Sequence, residues 1–222
     1  MIAKKKKLTP KSIASKPRRE AFMSRDAMFL GSNHTIELGE QIGEGSTGTI
    51  HAVKGNEHLA VKVPRYYDKG NSFGDDMEKE WNRYKSLGLA DEELMSPTHP
   101  VAVKMIGGGK EHNVMGLVRP RIMPACEPSF NVKDSELFEL RRKLMVISRK
   151  GLALEDGVQV GRDRHGRLLA YDLGDVIKTT PSKAYRVNDD GWCVFLQRVG
   201  KFGYSGAGRD AAFEKYGRIL PE

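Results

Sequence analysis

The chain has 222 residues, 39% of them hydrophobic and 30% charged, which suits one domain, or two small lobes sharing a cleft, with a modest core. No apolar run approaches the roughly 18 residues that span a bilayer, and no apolar stretch follows the basic start, so neither a membrane span nor a Sec-type signal peptide is expected. The net charge of +8 sits entirely in residues 1–19, which hold eight Lys and Arg and no acid; the balanced remainder argues against a nucleic-acid-binding fold, whose basic patch lies on the folded body.

Residues 1–25 carry Pro10 and Pro17 and lack apolar periodicity, which predicts a disordered basic leader ahead of a domain over 26–222. Residues 35–38 read as a short strand, 49–53 as a second and 58–63 as a third stopped by Pro64. A helix is predicted over 75–87, ended by Gly88, with Met77, Glu80, Trp81 and Tyr84 on one face. Strands over 101–105 and 114–118 flank a Gly107-Gly108-Gly109 turn. A second helix over about 135–149 places Leu137, Leu140, Leu144 and Ile147 together, and a hairpin around 163–169 precedes a glycine-rich C-terminal region read as loops. The order is α+β rather than alternating βαβ, with an N-lobe over about 35–120 and a reduced C-lobe over about 121–222. Cys126 and Cys193 fit no metal or redox pattern, and the six histidines show no zinc spacing. Free thiols in a reducing compartment are expected.

Gly43-Glu-Gly45-Ser-Thr-Gly48-Thr-Ile50 fits a GxGxxG loop. In a dinucleotide-binding fold such a loop opens a helix. Here β-branched residues and a turn follow, so it joins two strands, the arrangement in which a glycine hairpin covers the phosphates of ATP. Glycines let backbone amides approach phosphate oxygens. Lys62 stands fourteen residues past Gly48, in Ala-Val-Lys-Val, a context that matches the phosphate-contacting lysine of kinases. Glu80 is an acid on an apolar helix face; Lys62 is the partner that would justify it, and a surface pair with Lys79 or Arg83 is the alternative. Gly107-Gly-Gly-Lys110-Glu111 lacks the Ser or Thr of a P-loop and reads as a hairpin turn.

Glu155-Asp156, Gln159, a turn at His165-Gly166 and Asp172-Leu-Gly174 form the second segment. Phosphoryl transfer needs one carboxylate to receive or orient the acceptor hydroxyl and another to hold magnesium against the phosphates. Asp156 takes the first role, with Glu155 as the rival. Asp172 and the Gln159 amide oxygen take the second, because magnesium prefers hard oxygen donors. There is no His-Arg-Asp and no Ala-Pro-Glu, and 48 residues follow Gly174.

With Gly43 to Gly48, Lys79-Glu80, the run from Glu155-Asp156 through Asp172 to Asp175-Val176, and Thr180-Pro181-Ser182, the chain resembles the HopBF-type bacterial type III effectors, very small atypical protein kinases. The likeness covers roughly residues 35–190. It implies a minimal two-lobed protein-kinase-like fold with a truncated C-lobe, ATP and Mg2+ as cofactors, and secretion into the host cytosol. It further implies a virulence role through phosphorylation of a host protein on Ser or Thr, with the eukaryotic heat-shock protein 90 chaperone as candidate. Lys62 would be the ATP lysine, Asp156 the catalytic Asp and Asp172 the metal Asp, in a monomer. Two other readings stand beside a protein kinase: a nucleotide-binding pseudokinase acting through a partner, and a small-molecule kinase.

Overall fold

The computed structural model describes residues 35–67, 70, 72–124, 131–172, 174–203 and 205–220. The predicted leader and Cys126 lie outside them. The described residues form a mixed α+β structure with a mostly antiparallel sheet and four helices. None of these helices is long and apolar enough to cross a membrane.

The predicted N-terminal strands are all present, and longer than read. β1 (Thr35–Ile36) and β2 (Leu38–Glu44) split the first predicted strand in two. β3 (Gly48–Val53) and β4 (Asn56–Pro64) follow. After the short pair β5 (Tyr66–Tyr67) and β6 (Ser72–Phe73) comes α1 (Asp76–Ser86), then β7 (His99–Gly107) and β8 (Lys110–Pro120). The main sheet runs β1-β7-β8-β4-β3-β2, antiparallel except where β1 joins β7. The β7–β8 turn is the predicted glycine hairpin: Gly107 pairs with Lys110, and Gly108 and Gly109 hold φ of 55° and 76°, a left-handed pair that glycine adopts without strain. β4 is a central strand, flanked by β3 and β8, and every residue from Leu59 to Pro64 is buried.

β9 (Met123–Pro124) leads toward α2 (Asp134–Arg149), where the predicted Leu137, Leu140, Leu144 and Ile147 are all buried. The Glu136 carboxylate accepts from the Lys133 amide and so caps the first turn. β10 (Leu152–Leu154), β11 (Val160–Arg162), β12 (Leu168–Ala170) and β13 (Val176–Lys178) make two small antiparallel ribbons, β10 with β13 and β11 with β12, the latter extended to three strands by β9 on β11. The predicted hairpin at 163–169 is the β11–β12 turn, held by the buried Asp163 carboxylate accepting from the His165 and Arg167 amides.

The glycine-rich C-terminus is not loops. It holds α3 (Pro181–Arg198) and α4 (Gly206–Tyr216). Thr180 accepts from the Lys183 amide at the start of α3, and Pro181 takes the first helical position, a start signal that outweighs Gly191 within the helix. Trp192, Phe195 and Leu196 of α3 sit at the centre of the core with Leu137, Leu140 and Leu144 of α2. Tyr84 of α1 joins the same core, which ties the first helix to the second half of the chain.

Candidate active site

The first half of the site sits on the main sheet. Lys62 donates to Glu80 at 2.6 Å, and both residues are more than nine-tenths buried. A charged residue on a central, buried strand must be paired or pay heavily for desolvation. The surface pair with Lys79 is not used: Lys79 binds Asp75 instead. The second Glu80 oxygen, Oε1, is buried and has no hydrogen-bond partner among the described residues.

The glycine loop joins β2 to β3 as expected, with Gly43 opposite Ile50 and the Gly45 amide donating to the Gly48 carbonyl at 2.9 Å. Its glycines differ in purpose. None has positive φ. A methyl on Gly48 would meet the Val63 carbonyl oxygen at 2.2 Å, so Gly48 is required by the approach of β4. A methyl on Gly45 would meet nothing within 4 Å, so nothing packs against the tip of the loop there. Arg65 spans the tip of the loop, donating to Glu44 at 2.5 Å and to the Gly45 carbonyl at 2.8 Å.

The second half of the site comes from the two ribbons. The loop 155–159 runs from β10 to β11, and the loop 171–175 runs from β12 to β13. They face each other because their ends are bonded: the Glu155 amide donates to Asp175 at 3.0 Å, and the Tyr171 amide to Gln159 at 3.2 Å. Asp156, Asp172 and Asp175 are thereby gathered from positions up to nineteen apart, while Gln159 is fixed by its carbonyl, which accepts from the Tyr171 amide. Asp172 and Asp156 stand close enough to Asp175 to act on its carboxyl. Burial first, then those two like charges, push its carboxyl up to about 6. Asp156 is among the charges acting on Asp175, and Glu155 stands next to it on the rim of a neighbouring depression.

The halves meet at Gly174. Its amide donates to Asp172 at 3.2 Å, and a methyl there would stand 3.4 Å from Asp172 Oδ1 and 3.9 Å from Glu80 Oε2. Arg119, at the end of β8, closes the contact. Its buried guanidinium donates to the Tyr171 carbonyl; burial pushes its pKa down, opposed by the charges of Glu80 and Asp172. A cleft of about 800 Å³ opens alongside, lined by Ile42, Gly43, Ile50 and Ala60 of the sheet and by the Pro120 to Pro124 segment. Its walls are mixed: the apolar sheet side stands across from charged residues including Arg121, Arg162, Asp163 and Arg164, and Lys62 and Asp172 lie beside it rather than in its lining.

Sequence reasoning singled out neither Arg119, Arg65 nor Asp175 as a functional residue. Asp175 carried a signal, standing three residues after Asp172; Arg119 and Arg65 carried none, since only the tertiary fold brings them in. Asn188 was missed as well. Fully buried on α3, it accepts from the Leu154 amide at 2.9 Å and donates to Ser148 Oγ and the Leu152 carbonyl, which fixes the strand that delivers Asp156.

Among the described residues no three acidic, His or Cys side chains form a ready-made metal cage. Magnesium needs none, since it is bound by one or two carboxylates together with substrate phosphates. The crowded oxygens of Asp172 and its neighbours fit that donor set, because a divalent cation relieves the like-charge repulsion that raises Asp175. No family model matches the chain, and no curated protein matches it.

Proposed function

We propose that this chain is an ATP- and Mg2+-dependent protein kinase with a minimal two-lobed fold. The observation that carries the reading is the buried Lys62–Glu80 pair lying against Asp172 and Gly174, with a glycine hairpin on the same sheet. A lysine so held presents a fixed positive charge to the phosphates. The hairpin tip, free of packed side chains at Gly45, covers them from above, and the Ile42, Ile50 and Ala60 walls take the base. Asp172 and Gln159 would hold Mg2+, which would neutralise phosphate charge when bound. Asp156 accepts the proton of the acceptor hydroxyl as its oxygen bonds to the γ-phosphorus and the bond from that phosphorus to the β–γ bridging oxygen breaks, leaving ADP. Holding charge ready for the transition state is worth about 10²–10³ in rate per contact.

The acceptor is a Ser or Thr of a host protein. The likeness to type III effectors makes the heat-shock protein 90 chaperone the first candidate and the host cytosol the place of action. The test is incubation of the full chain with labelled ATP and Mg2+, with and without eukaryotic cytosol. The expected result is transfer to one protein band, abolished by Asp156→Asn with ATP binding kept, and abolished by Asp172→Asn with ATP binding weakened. ATP binding without transfer would mean a binding module; no ATP binding would overturn the proposal.

A further inference from the structure

A second depression begins at Asp156 and leads away from the nucleotide cleft along α3. It encloses about 490 Å³, within the range of clefts that hold ligands. Two glycines make it. Gly157 and Gly191 face each other so closely that a methyl on Gly191 would stand 3.1 Å from the Gly157 α-carbon, so no side chain fills the floor between loop and helix. Val158 and Phe195 complete an apolar base. The α3 wall follows from helical spacing: Val187, Asp190, Gly191, Val194 and Arg198 lie at i, i+3, i+4, i+7 and i+11 and share one face. Val194 is 51% exposed, a large apolar side chain left on the rim. The charged rim is Glu155, Asp156 and Asp190 against Arg198, with Arg218 near enough to Asp190 to feel its charge.

We propose that this groove binds the stretch of protein substrate next to the phosphorylated hydroxyl, and that it selects an extended segment carrying a Lys or Arg close to the acceptor, with an apolar neighbour. The proposal rests on Asp156 as the hydroxyl-facing carboxylate, because only then does the groove open from the reacting position. Continuity with that position fixes the occupant as substrate. The excess of carboxylates on the rim fixes the charge it accepts, and the paired valines with the glycine floor give room for a backbone and one apolar side chain. Asp190, exposed on the far rim, is the specificity-determining residue.

The test uses the full chain and three Ser-containing peptides that differ only in flanking residues: Arg, Ala or Glu. Both peptide binding, by fluorescence anisotropy, and phosphoryl transfer are read, with ATP affinity as the control for folding. The Arg peptide should bind best, and Asp190→Lys should reduce its affinity about five- to tenfold and improve the Glu peptide. Val194→Glu should weaken the Ala peptide. Equal binding of the three peptides, or a ranking that Asp190→Lys does not change, overturns the groove. Transfer to all three without charge preference overturns the groove and leaves the kinase reading standing. Charge-selective binding that Asp190→Lys reverses, without transfer to any peptide, overturns the groove as a substrate site, and the labelling of cytosol then decides the kinase reading separately.

Discussion

At the residue scale the Lys62–Glu80 pair has a structural role and the phosphate-contacting role proposed for it, and the two can be separated. Removing one partner strands a buried charge, which costs about 3–5 kcal/mol, whereas replacing both with apolar residues of similar size is far milder. Lys62→Met and Glu80→Leu should therefore each lower the denaturation midpoint steeply, while the double variant recovers most of the loss and stays unable to transfer phosphate; additive losses in this cycle would show that the two do not act as a unit. Asp175 gives a pH-dependent prediction. Its carboxyl is raised to about 6, first by burial and then by Asp172 and Asp156, so the folded state holds that proton more tightly than the unfolded chain. Stability contributed by the protonated form is present below the ordinary aspartate value of about 4 and is lost as pH climbs through 6. In metal-free buffer Asp175→Asn should be more stable than the parent at pH 7, and the gap should close toward pH 4. A gap that does not change with pH would contradict the assigned cause. These groups were unequally legible: Lys62, Glu80, Asp156 and Asp172 stand in recognisable local contexts, whereas Asp175 matters through neighbours that only folding supplies.

At the element scale the glycine hairpin shows how one motif serves two ends. Gly48→Ala places a methyl 2.2 Å from the Val63 carbonyl oxygen and must spread β3 from β4, at a cost of about 1–3 kcal/mol. Gly45→Ala meets open space; its stability should change by no more than about 0.5 kcal/mol, and its effect should fall on ATP affinity. Paired thermal melts and nucleotide titrations of the two variants check this, and the reverse pattern would remove the assigned roles. Periodicity located α1 and α2 almost to the residue because their buried faces are continuous: Leu137, Leu140, Leu144 and Ile147 leave no ambiguity. It missed α3 because Asn188, Asp189 and Gly191 interrupt the apolar run, and all three are buried there for tertiary reasons. It missed α4 because Gly206 and Gly208 are weak helix formers, and Ser205 capping the Gly208 amide is a weak local signal.

At the scale of the whole molecule, the segment after α4 closes the structure. Asp189, buried on α3, binds the Arg218 guanidinium at 2.6 Å and the Ile219 amide at 2.7 Å, Trp192 donates to the Gly217 carbonyl, and Ile219 is fully buried. Deleting residues 217–222 leaves Asp189 without its partners and opens a void beside Trp192. The loss should be several kcal/mol, since an emptied apolar site alone costs about 2–5, and the melting temperature should fall accordingly; an unchanged melt would show the clasp to be dispensable. Sheet order and this clasp were not readable in advance, because residues 29 apart meet only through the packing of α3 on α2. The ribbons have a mechanical consequence. Each of the two facing loops is fastened at one end to β10–β13 and at the other to β11–β12, so neither can swing alone, and the pair works as a four-bar linkage that fixes the gap between Asp156 and Asp172. Lys62 and Glu80 are mounted on a different frame, the sheet and α1. If the two frames rock against each other, one span alone changes, that from the ammonium to the carboxylates, and the bond from Arg119 to the Tyr171 carbonyl lies across it like the stop on a caliper.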